Sequence, residues 1–415
     1  MVNRKYPTGF GGLGIAPGLL GAIARLEFTE PTPIQLRSIP VGLEGKDLIA
    51  IAQTGTGKTL AFGLPMIQRL AQLKGRGLVL VPTRELAMQV SESLQSVGRS
   101  SGLRTAVVIG GVPEGRQKRA LEKNPRIIIA TPGRLVDFLE QRAVNLSATQ
   151  ILVLDEADRM LDMGFAPQLN KILRTVPKGR QTMLFSATMP PEILGLARQH
   201  MKLPINIEIA PSGTAAEKVV QEVFFIEKEA KTRLLEVLLG EYHGPVLVFT
   251  RTKHGARKLT RKLRAMGHSA AEIHSDRSLN QRRDALEGFK SGKYRMMIAT
   301  DVAARGIDVV GIEVVVNYDL PNNTQDYVHR IGRTARAGMA GRAISFATFE
   351  QRNDIRDIEK LIRTGLSIKK VPTLSSDSAP RRQPAVVTKP ERTTKPRKTF
   401  GRPSKRKSTR SRRRR

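Results

Sequence analysis

The chain contains no cysteine and no tryptophan, and aromatic residues make up only 4% of its 415 positions. Without cysteine it forms no disulfide, offers no thiolate nucleophile and builds no Cys-ligated zinc site. Scarce aromatics argue against a surface that holds single strands by extensive base stacking. No apolar run approaches the ~18 residues of a membrane span, and residues 1–5 lead into no signal-peptide core. A soluble, cytoplasmic protein without a membrane partner is the expectation. Acidic residues are also few: 37 Asp and Glu stand against 70 Lys and Arg, a net charge of +33. Residues 373–415 hold 16 Lys and Arg against Asp377 and Glu391, or +14, so tail and body are both basic. Solubility alone does not require that surplus, and a polyanionic partner is expected.

What is present is a repeating alternation of short apolar runs and longer helical patterns. Runs at 47–52, 77–81, 105–109, 126–130, 151–154 and 182–185 predict strands, several of them rich in Val, Ile and Leu and so buried on both faces of a parallel sheet. Helical segments lie between them, for example at 60–73, 84–97 and 134–141. The second half repeats the rhythm, with strands at 245–249, 295–299, 314–318 and 343–347. This predicts an α/β chain of two doubly wound parallel-sheet domains in tandem. The expected segments are 1–36, an N-terminal stretch; 37–210, the first domain; 211–219, a linker in a Pro/Gly/Ser cluster; and 220–370, the second domain. Residues 371–415 have too few apolar side chains to offset chain entropy, and a disordered basic tail is expected.

Two segments carry the chemistry. Ala52-Gln53-Thr54-Gly55-Thr56-Gly57-Lys58-Thr59 follows a strand and opens a helix. Its glycines let backbone N–H groups close around phosphate oxygens, Lys58 reaches the β/γ-phosphates and Thr59 can hold Mg²⁺. His329-Arg330-Ile331-Gly332-Arg333-Thr334-Ala335-Arg336 places three arginine forks within seven residues, a donor set suited to the charge of phosphoryl transfer. The two segments can meet only if two domains close on one nucleotide. Asp155-Glu156-Ala157-Asp158 alone would read as a solvated turn. At the end of an apolar strand downstream of a phosphate loop, Asp155 is placed to hold Mg²⁺ through water, and Glu156 to orient or deprotonate the attacking water.

With these residues in hand, the chain resembles the DEAD-box RNA helicases, over roughly residues 10 to 365. The resemblance rests on Phe10, residues 28–35, the phosphate loop, Pro82-Thr83-Arg84-Glu85-Leu86-Ala87, Gly110-Gly111, Thr131-Pro132-Gly133-Arg134, the acidic tetrapeptide and Ser186-Ala187-Thr188. Residues 248–252, 299–308 and 329–336 continue it in the second half. It implies two RecA-like domains, ATP and Mg²⁺ as cofactors, and RNA as partner. The general look is that of the bacterial RhlE-like branch, with ribosomal or RNA-decay complexes as partners and a monomeric chain.

The resemblance also implies residue roles. Gln35 would read the adenine edge, Phe10 and Phe28 would flank the base, and Gly306 and Asp308 would reach ATP from the second domain. Arg333 and Arg336 would be arginine fingers. Asp158, Ser186, Thr188 and His329 would couple the ATP state to RNA grip. RNA contacts fall to Arg84, Gly111, Thr131, Gly133, Arg134, Thr252 and Thr300, consistent with phosphate binding that reads no base. Four positions depart from the family pattern. Glu27 and Ala335 occupy usual glycine positions, Ala335 with an αR or β backbone and little consequence expected. Ser275 and Leu279 replace a usual Gly and Gln in a segment of second-domain RNA contacts. Two further readings stand beside an unwinding ATPase: an ATP-gated RNA clamp or annealing scaffold, and DNA translocation.

Overall fold

The computed structural model describes residues 9–53, 55–99, 102–209, 219–304, 309, 311–335 and 341–373. Thr54, Gly306, Asp308, Arg336, nearly all of the expected linker and the tail beyond Thr373 lie outside the described residues.

In the first half, α1 (Pro17–Arg25) and α2 (Pro33–Leu43) lead into β1 (Leu48–Ile51), α3 (Lys58–Gln72) and β2 (Arg76–Leu80). Then come α4 (Arg84–Gly98), β3 (Thr105–Val108), α5 (Glu114–Glu122), β4 (Ile127–Ala130) and α6 (Pro132–Glu140). β5 (Thr149–Asp155), α7 (Ala157–Asp162), α8 (Ala166–Thr175), β6 (Gln181–Ser186), α9 (Pro191–His200) and β7 (Ile205–Glu208) complete it. The second half runs β8 (Val219–Phe225), α10 (Lys231–Glu241), β9 (Val246–Phe249), α11 (Lys253–Ala265), β10 (Ala270–Ile273) and α12 (Leu279–Lys290). It continues with β11 (Met296–Ala299), α13 (Asp301–Ala304), β12 (Val314–Asn317), α14 (Thr324–Ile331), β13 (Gly341–Ala347), α15 (Arg352–Ile362) and β14 (Ser367–Lys369).

The strands form two seven-stranded sheets, β3-β4-β2-β5-β6-β1-β7 and β10-β11-β9-β12-β13-β8-β14. Counted from its own first strand, the second sheet repeats the order of the first. All pairings are parallel, for example Ile49 against Leu184 and Val316 against Val248. Each sheet is covered on both faces. In the first half one apolar cluster is built on Val79, Ile129 and Phe185, and another on Leu80, Ile128 and Leu154. This is why the strands read as continuous apolar runs rather than alternating ones. The α/β class and the two doubly wound sheets agree with the sequence reading. The reading did not include β7, β8, β10 or β14.

In both sheets the loops that carry chemistry leave the carboxyl ends of the strands, where open α/β sheets bind ligands. α2 begins at a capping-box sequence, in which the Thr32 N–H donates to the Gln35 side-chain oxygen. That capping box places Gln35 beneath the phosphate loop.

Candidate active site at the domain junction

The Gly-rich loop joins β1 to α3. Gly57 caps α3 at φ +89, a left-handed conformation that glycine accepts without strain, and a Cβ there would collide with the Gln35 amide. Lys58 opens the helix, so the free N–H groups of the helix start face the loop, a ready anion site. Lys58 is buried and its Nζ donates to the Ala52 carbonyl at 3.0 Å. Thr56 Oγ1 donates to the Gln53 carbonyl at 2.8 Å, and Gly55 bends the loop at φ +81. Gln35 Nε2 donates to the Gly57 carbonyl at 3.0 Å while its Oε1 accepts the Thr32 N–H at 2.9 Å. One amide N–H and one lone pair of Gln35 remain for a ligand edge. Phe10 is buried in the first core, whereas Phe28 is 46% exposed. Glu27 takes φ +60, so the turn before Phe28 does use the left-handed backbone that a glycine would favour.

β5 delivers Asp155 and Glu156 to the same edge. Both are buried, yet their environments push them apart. Burial raises the Asp155 carboxyl to about 6 against the pull of Lys58. Burial would raise Glu156 too, but Arg159, then Lys58 and Arg333, outweigh it and hold the carboxyl at about 2. Arg159 supplies the close partner, its Nη1 donating to Glu156 Oε2 at 2.9 Å. Glu156 sits at φ +53 and ψ +51, a left-handed conformation that costs a non-glycine residue about 1–2 kcal/mol.

A divalent cation fits this donor set. A buried carboxyl held up near 6 is short of positive charge, and Thr59 presents a half-buried hydroxyl one residue after Lys58. Among the described residues no group of three His, Asp or Glu side chains gathers as a protein-only cage. Phosphate oxygens and water would therefore complete the coordination, as is usual for Mg²⁺.

Asp158 ties this edge to β6. Its Oδ2 accepts from the Ala187 N–H at 3.1 Å, the Thr188 N–H at 2.8 Å and Thr188 Oγ1 at 2.9 Å, while its own N–H donates to Ser186 Oγ at 3.2 Å. Asp158, Ser186 and Thr188, named together as coupling residues from the sequence, form one network.

α14 brings the second half to this edge. Burial and then the Arg159 charge push His329 down to about 4, so it is neutral at physiological pH. Arg333 is buried, donates from Nε to the His329 carbonyl at 3.3 Å, and lies near enough to Glu156 to help depress it. Arg159 of the first half and His329, Arg330 and Arg333 of the second line one small pocket.

Arg330 departs from the set of three arginines. It is 1% exposed, forms a two-pronged ion pair with Asp301 at 2.5 and 2.7 Å, and donates to Asn317 and the Asp319 carbonyl. Its guanidinium lies 4.9 Å from the Phe249 ring centre. Every edge of that fork is committed inside the second half. Ala335 also departs from expectation: its φ is +55, left-handed rather than αR or β.

A cleft of about 310 Å³ collects Arg84, Gly110, Thr131, Gly133 and Arg134 from the first half with Ser275, Arg282 and Ala303 from the second. α4 and α6 both begin there, so two helix N-termini face it. Gly111 takes φ +75 against the Arg84 guanidinium. Thr252 and Thr300 lie outside the lining of this cleft. Thr252 caps α11, accepting the Gly255 N–H at 3.0 Å, and the Thr300 carbonyl starts α13.

Sequence reasoning missed the contacts that join the halves. Arg282 Nη2 meets Glu85 Oε2 at 3.0 Å with both side chains buried, and Leu279 packs on the first core. It also missed Arg159, whose only signal was its place four residues after Asp155.

Two RecA-like sheets closed on a phosphate loop, an acidic edge and a facing arginine define a nucleoside-triphosphatase of the two-domain helicase class. A DEAD/DEAH box helicase family model matches residues 32–195 and a helicase conserved C-terminal domain model matches residues 229–338. The chain belongs to the DEAD/DEAH box helicase family. It is 44% identical over 350 residues to the ATP-dependent rRNA helicase RRP3 of Meyerozyma guilliermondii, covering 83% of this chain and 74% of that protein. It is 45% identical over 368 residues to DEAD-box ATP-dependent RNA helicase 30 of Arabidopsis thaliana, covering 86% and 62%. Among solved structures, S. cerevisiae Dbp5 bound to RNA and ADP BeF3 superposes with a TM-score of 0.80 at 32% identity, covering 88% of this chain and 96% of that chain. Mss116p bound to ssRNA and AMP-PNP gives a TM-score of 0.82 at 28% identity, covering 90% and 81%. These fungal and plant relatives lend no support to the bacterial RhlE-like placement. No helix among the described residues is long and apolar enough to cross a membrane.

Proposed function

We propose that this protein is an ATP-dependent RNA helicase whose two domains close on ATP and one RNA strand, with hydrolysis reopening the cleft. The observation that carries this reading is the meeting of His329 and Arg333 with Glu156, Asp158 and Arg159 at one edge. Lys58, the loop amides and the start of α3 bind the phosphates. Gln35 and Phe28 face the base. Thr59 and Asp155 would hold Mg²⁺, partly through water, and the ion would offset phosphate charge. Glu156 acts chiefly by orienting water: a carboxylate held at about 2 is a weak proton acceptor near neutrality until Arg159 lets go. Arg333 supplies charge only after closure, which makes hydrolysis depend on RNA grip. The network from Asp158 to Ser186 and Thr188 carries the nucleotide state along β6 towards the second domain.

RNA is held at Arg84, Gly111, Thr131, Gly133 and Arg134, contacts suited to phosphates rather than base edges. Thr252 and Thr300 extend that path on the second domain. Gly306, Asp308 and Arg336 belong to the ATP side of the second domain on the strength of the family motif. The name carried by the fungal relative favours rRNA-containing particles over decay complexes as substrate. Because each half of the site comes from one chain, a monomer suffices. No membrane is involved in this reading, and the cytoplasm is the compartment we propose.

The test compares ATP hydrolysis with and without RNA, and unwinding of a short duplex, in wild type, Lys58→Ala and Arg333→Ala. Wild type should be strongly RNA-stimulated and should separate strands. Lys58→Ala should lose ATP affinity, whereas Arg333→Ala should keep ATP but lose roughly 10³–10⁵ in rate. Lys at 333 should rescue poorly for want of the planar fork. A wild type whose hydrolysis ignores RNA would refute the reading. Stimulated hydrolysis without strand separation would leave the RNA clamp instead.

A further inference from the structure

α11 is the most one-sidedly charged helix of the second domain. Its thirteen residues include Lys253, Arg257, Lys258, Arg261, Lys262 and Arg264 and no acidic residue. Its inner face is ordinary core, with Ala256, Leu259, Thr260 and Leu263 buried. Lys258, Arg261 and Lys262 are exposed on the opposite face. The charges nearer the helix ends are already used. Lys253 and Arg257 both pair with Asp276, at 2.8 and 3.4 Å, and Arg264 Nε donates to the Ala270 carbonyl at 2.8 Å. Lys258, Arg261 and Lys262 make no ion pair or hydrogen bond among the described residues.

Solvation alone does not explain this face. α10, α12 and α15, of similar length in the same domain, interleave their Lys and Arg with Asp and Glu. Interleaving removes the mutual repulsion of like charges one turn apart, about 0.2–0.5 kcal/mol per pair. α11 forgoes that relief on its outer face. The position of the helix supplies the reason, because its N-cap is Thr252, where the RNA path is proposed to reach the second domain. From there the helix carries its cations away from the cleft over about 20 Å.

We infer that the outward face of α11 is a second RNA-backbone site, which holds the part of a substrate RNA that continues past the domain cleft. This rests on the RNA helicase reading and extends its footprint. The three cations span about 6 Å along the helix axis, the axial rise of roughly two phosphates of one duplex strand. Lys and Arg on a convex helix contact phosphates without reading bases, so the site adds affinity and salt dependence but no sequence preference. A flank held there keeps RNA engaged while the cleft opens between rounds of hydrolysis, as a second tethered contact does.

The experiment uses the full chain with Lys258→Gln, Arg261→Gln and Lys262→Gln combined, and a second variant, Lys258→Glu with Arg261→Glu. Leu259 and Leu263 are untouched, and matched melting temperatures check the fold. Two probes are compared: a single strand of about 6 nucleotides that fills only the cleft, and a duplex with a single-stranded overhang, roughly 30 nucleotides in all. The expected result is on the order of tenfold weaker binding of the long probe, with a salt slope shallower by about 2–3. The Glu variant should lose more, while both variants bind the short probe normally and keep the maximal ATPase rate. An unchanged affinity and slope for the long probe overturns the inference, as does an equal loss on the short probe. A wild type that binds neither probe overturns the helicase reading itself. A wild-type preference for the long probe that survives in both variants overturns only the α11 site.

Discussion

Arg159 donates from Nη1 to Glu156 Oε2 at 2.9 Å, with both side chains buried. The pair keeps Glu156 ionised against burial, and removing one partner leaves an uncompensated charge that costs about 3–5 kcal/mol. Because the folded carboxyl lies below its unfolded value of 4.5, its contribution to stability is present above about pH 4.5 and is lost as pH falls towards 2. Arg159→Met should remove much of that contribution at neutral pH and let Glu156 rise. A thermal melt at pH 7 should show a clear drop, and the acid limb of the turnover profile should move up in pH. An unshifted acid limb would mean that Lys58 and Arg333 alone set the Glu156 charge.

Asp155 has the opposite sign. Its folded carboxyl stands at about 6 against 3.8, so ionisation costs stability increasingly from about pH 4, and the full penalty is present above about pH 6. Two units correspond to about 3 kcal/mol at most, less what Lys58 loses with its counter-charge. In the absence of nucleotide and Mg²⁺, Asp155→Asn should therefore melt higher than wild type at pH 7.5 and show little difference at pH 4. Its turnover should be abolished. A lower melting temperature at pH 7.5 would show that attraction to Lys58 exceeds the burial cost.

Ala335→Gly should stabilise the turn after α14. The left-handed φ of +55 costs alanine about 1–2 kcal/mol. Glycine adds about 0.4–1 kcal/mol of unfolded-state entropy, which leaves a net gain of about 0.5–1 kcal/mol. Chemical denaturation reads this as a small rise in midpoint at constant slope. A fall in midpoint would mean that the alanine methyl makes packing contacts worth more than the backbone strain.

A chain ending at Thr373 loses +14 of its +33 charge. We expect a higher KM for RNA and a flatter salt dependence, since fewer counterions are released. Turnover at saturating RNA should change little, because every phosphate, cation and finger residue precedes position 337. Collapse of that turnover would assign the tail a part in the catalytic cycle.

The sequence was most legible where one element carries one function. The phosphate loop lies between a strand and a helix, as its spacing required, and the acidic tetrapeptide ends the apolar run of β5. Strands escaped notice where local composition is unlike a buried strand. β10 is Ala-Ala-Glu-Ile, β7 ends on an exposed Glu, and β14 is exposed throughout. The role of Arg330 was hidden because its partners Asp301, Asn317 and Asp319 come from elements far along the chain, so burial inverted what the spacing of three arginines suggested. The same holds for Arg282 and Glu85, whose meeting depends on how two separate sheets close. Ala335 was misjudged because a φ value belongs to the turn and not to the residue.

The shared strand order has a consequence for stoichiometry. In the first sheet the connection after β1 is the glycine loop. The corresponding connection of the second sheet, between β8 and α10, reads Ile226-Glu227-Lys228-Glu229-Ala230, with no glycine and two carboxylates. The repeated scaffold thus carries the glycine loop at one of its two corresponding connections. With one such loop at the two corresponding connections, one nucleotide per chain and a hyperbolic response to ATP concentration are expected. Any cooperativity is then expected between unlike ligands, nucleotide on one side and polymer on the other.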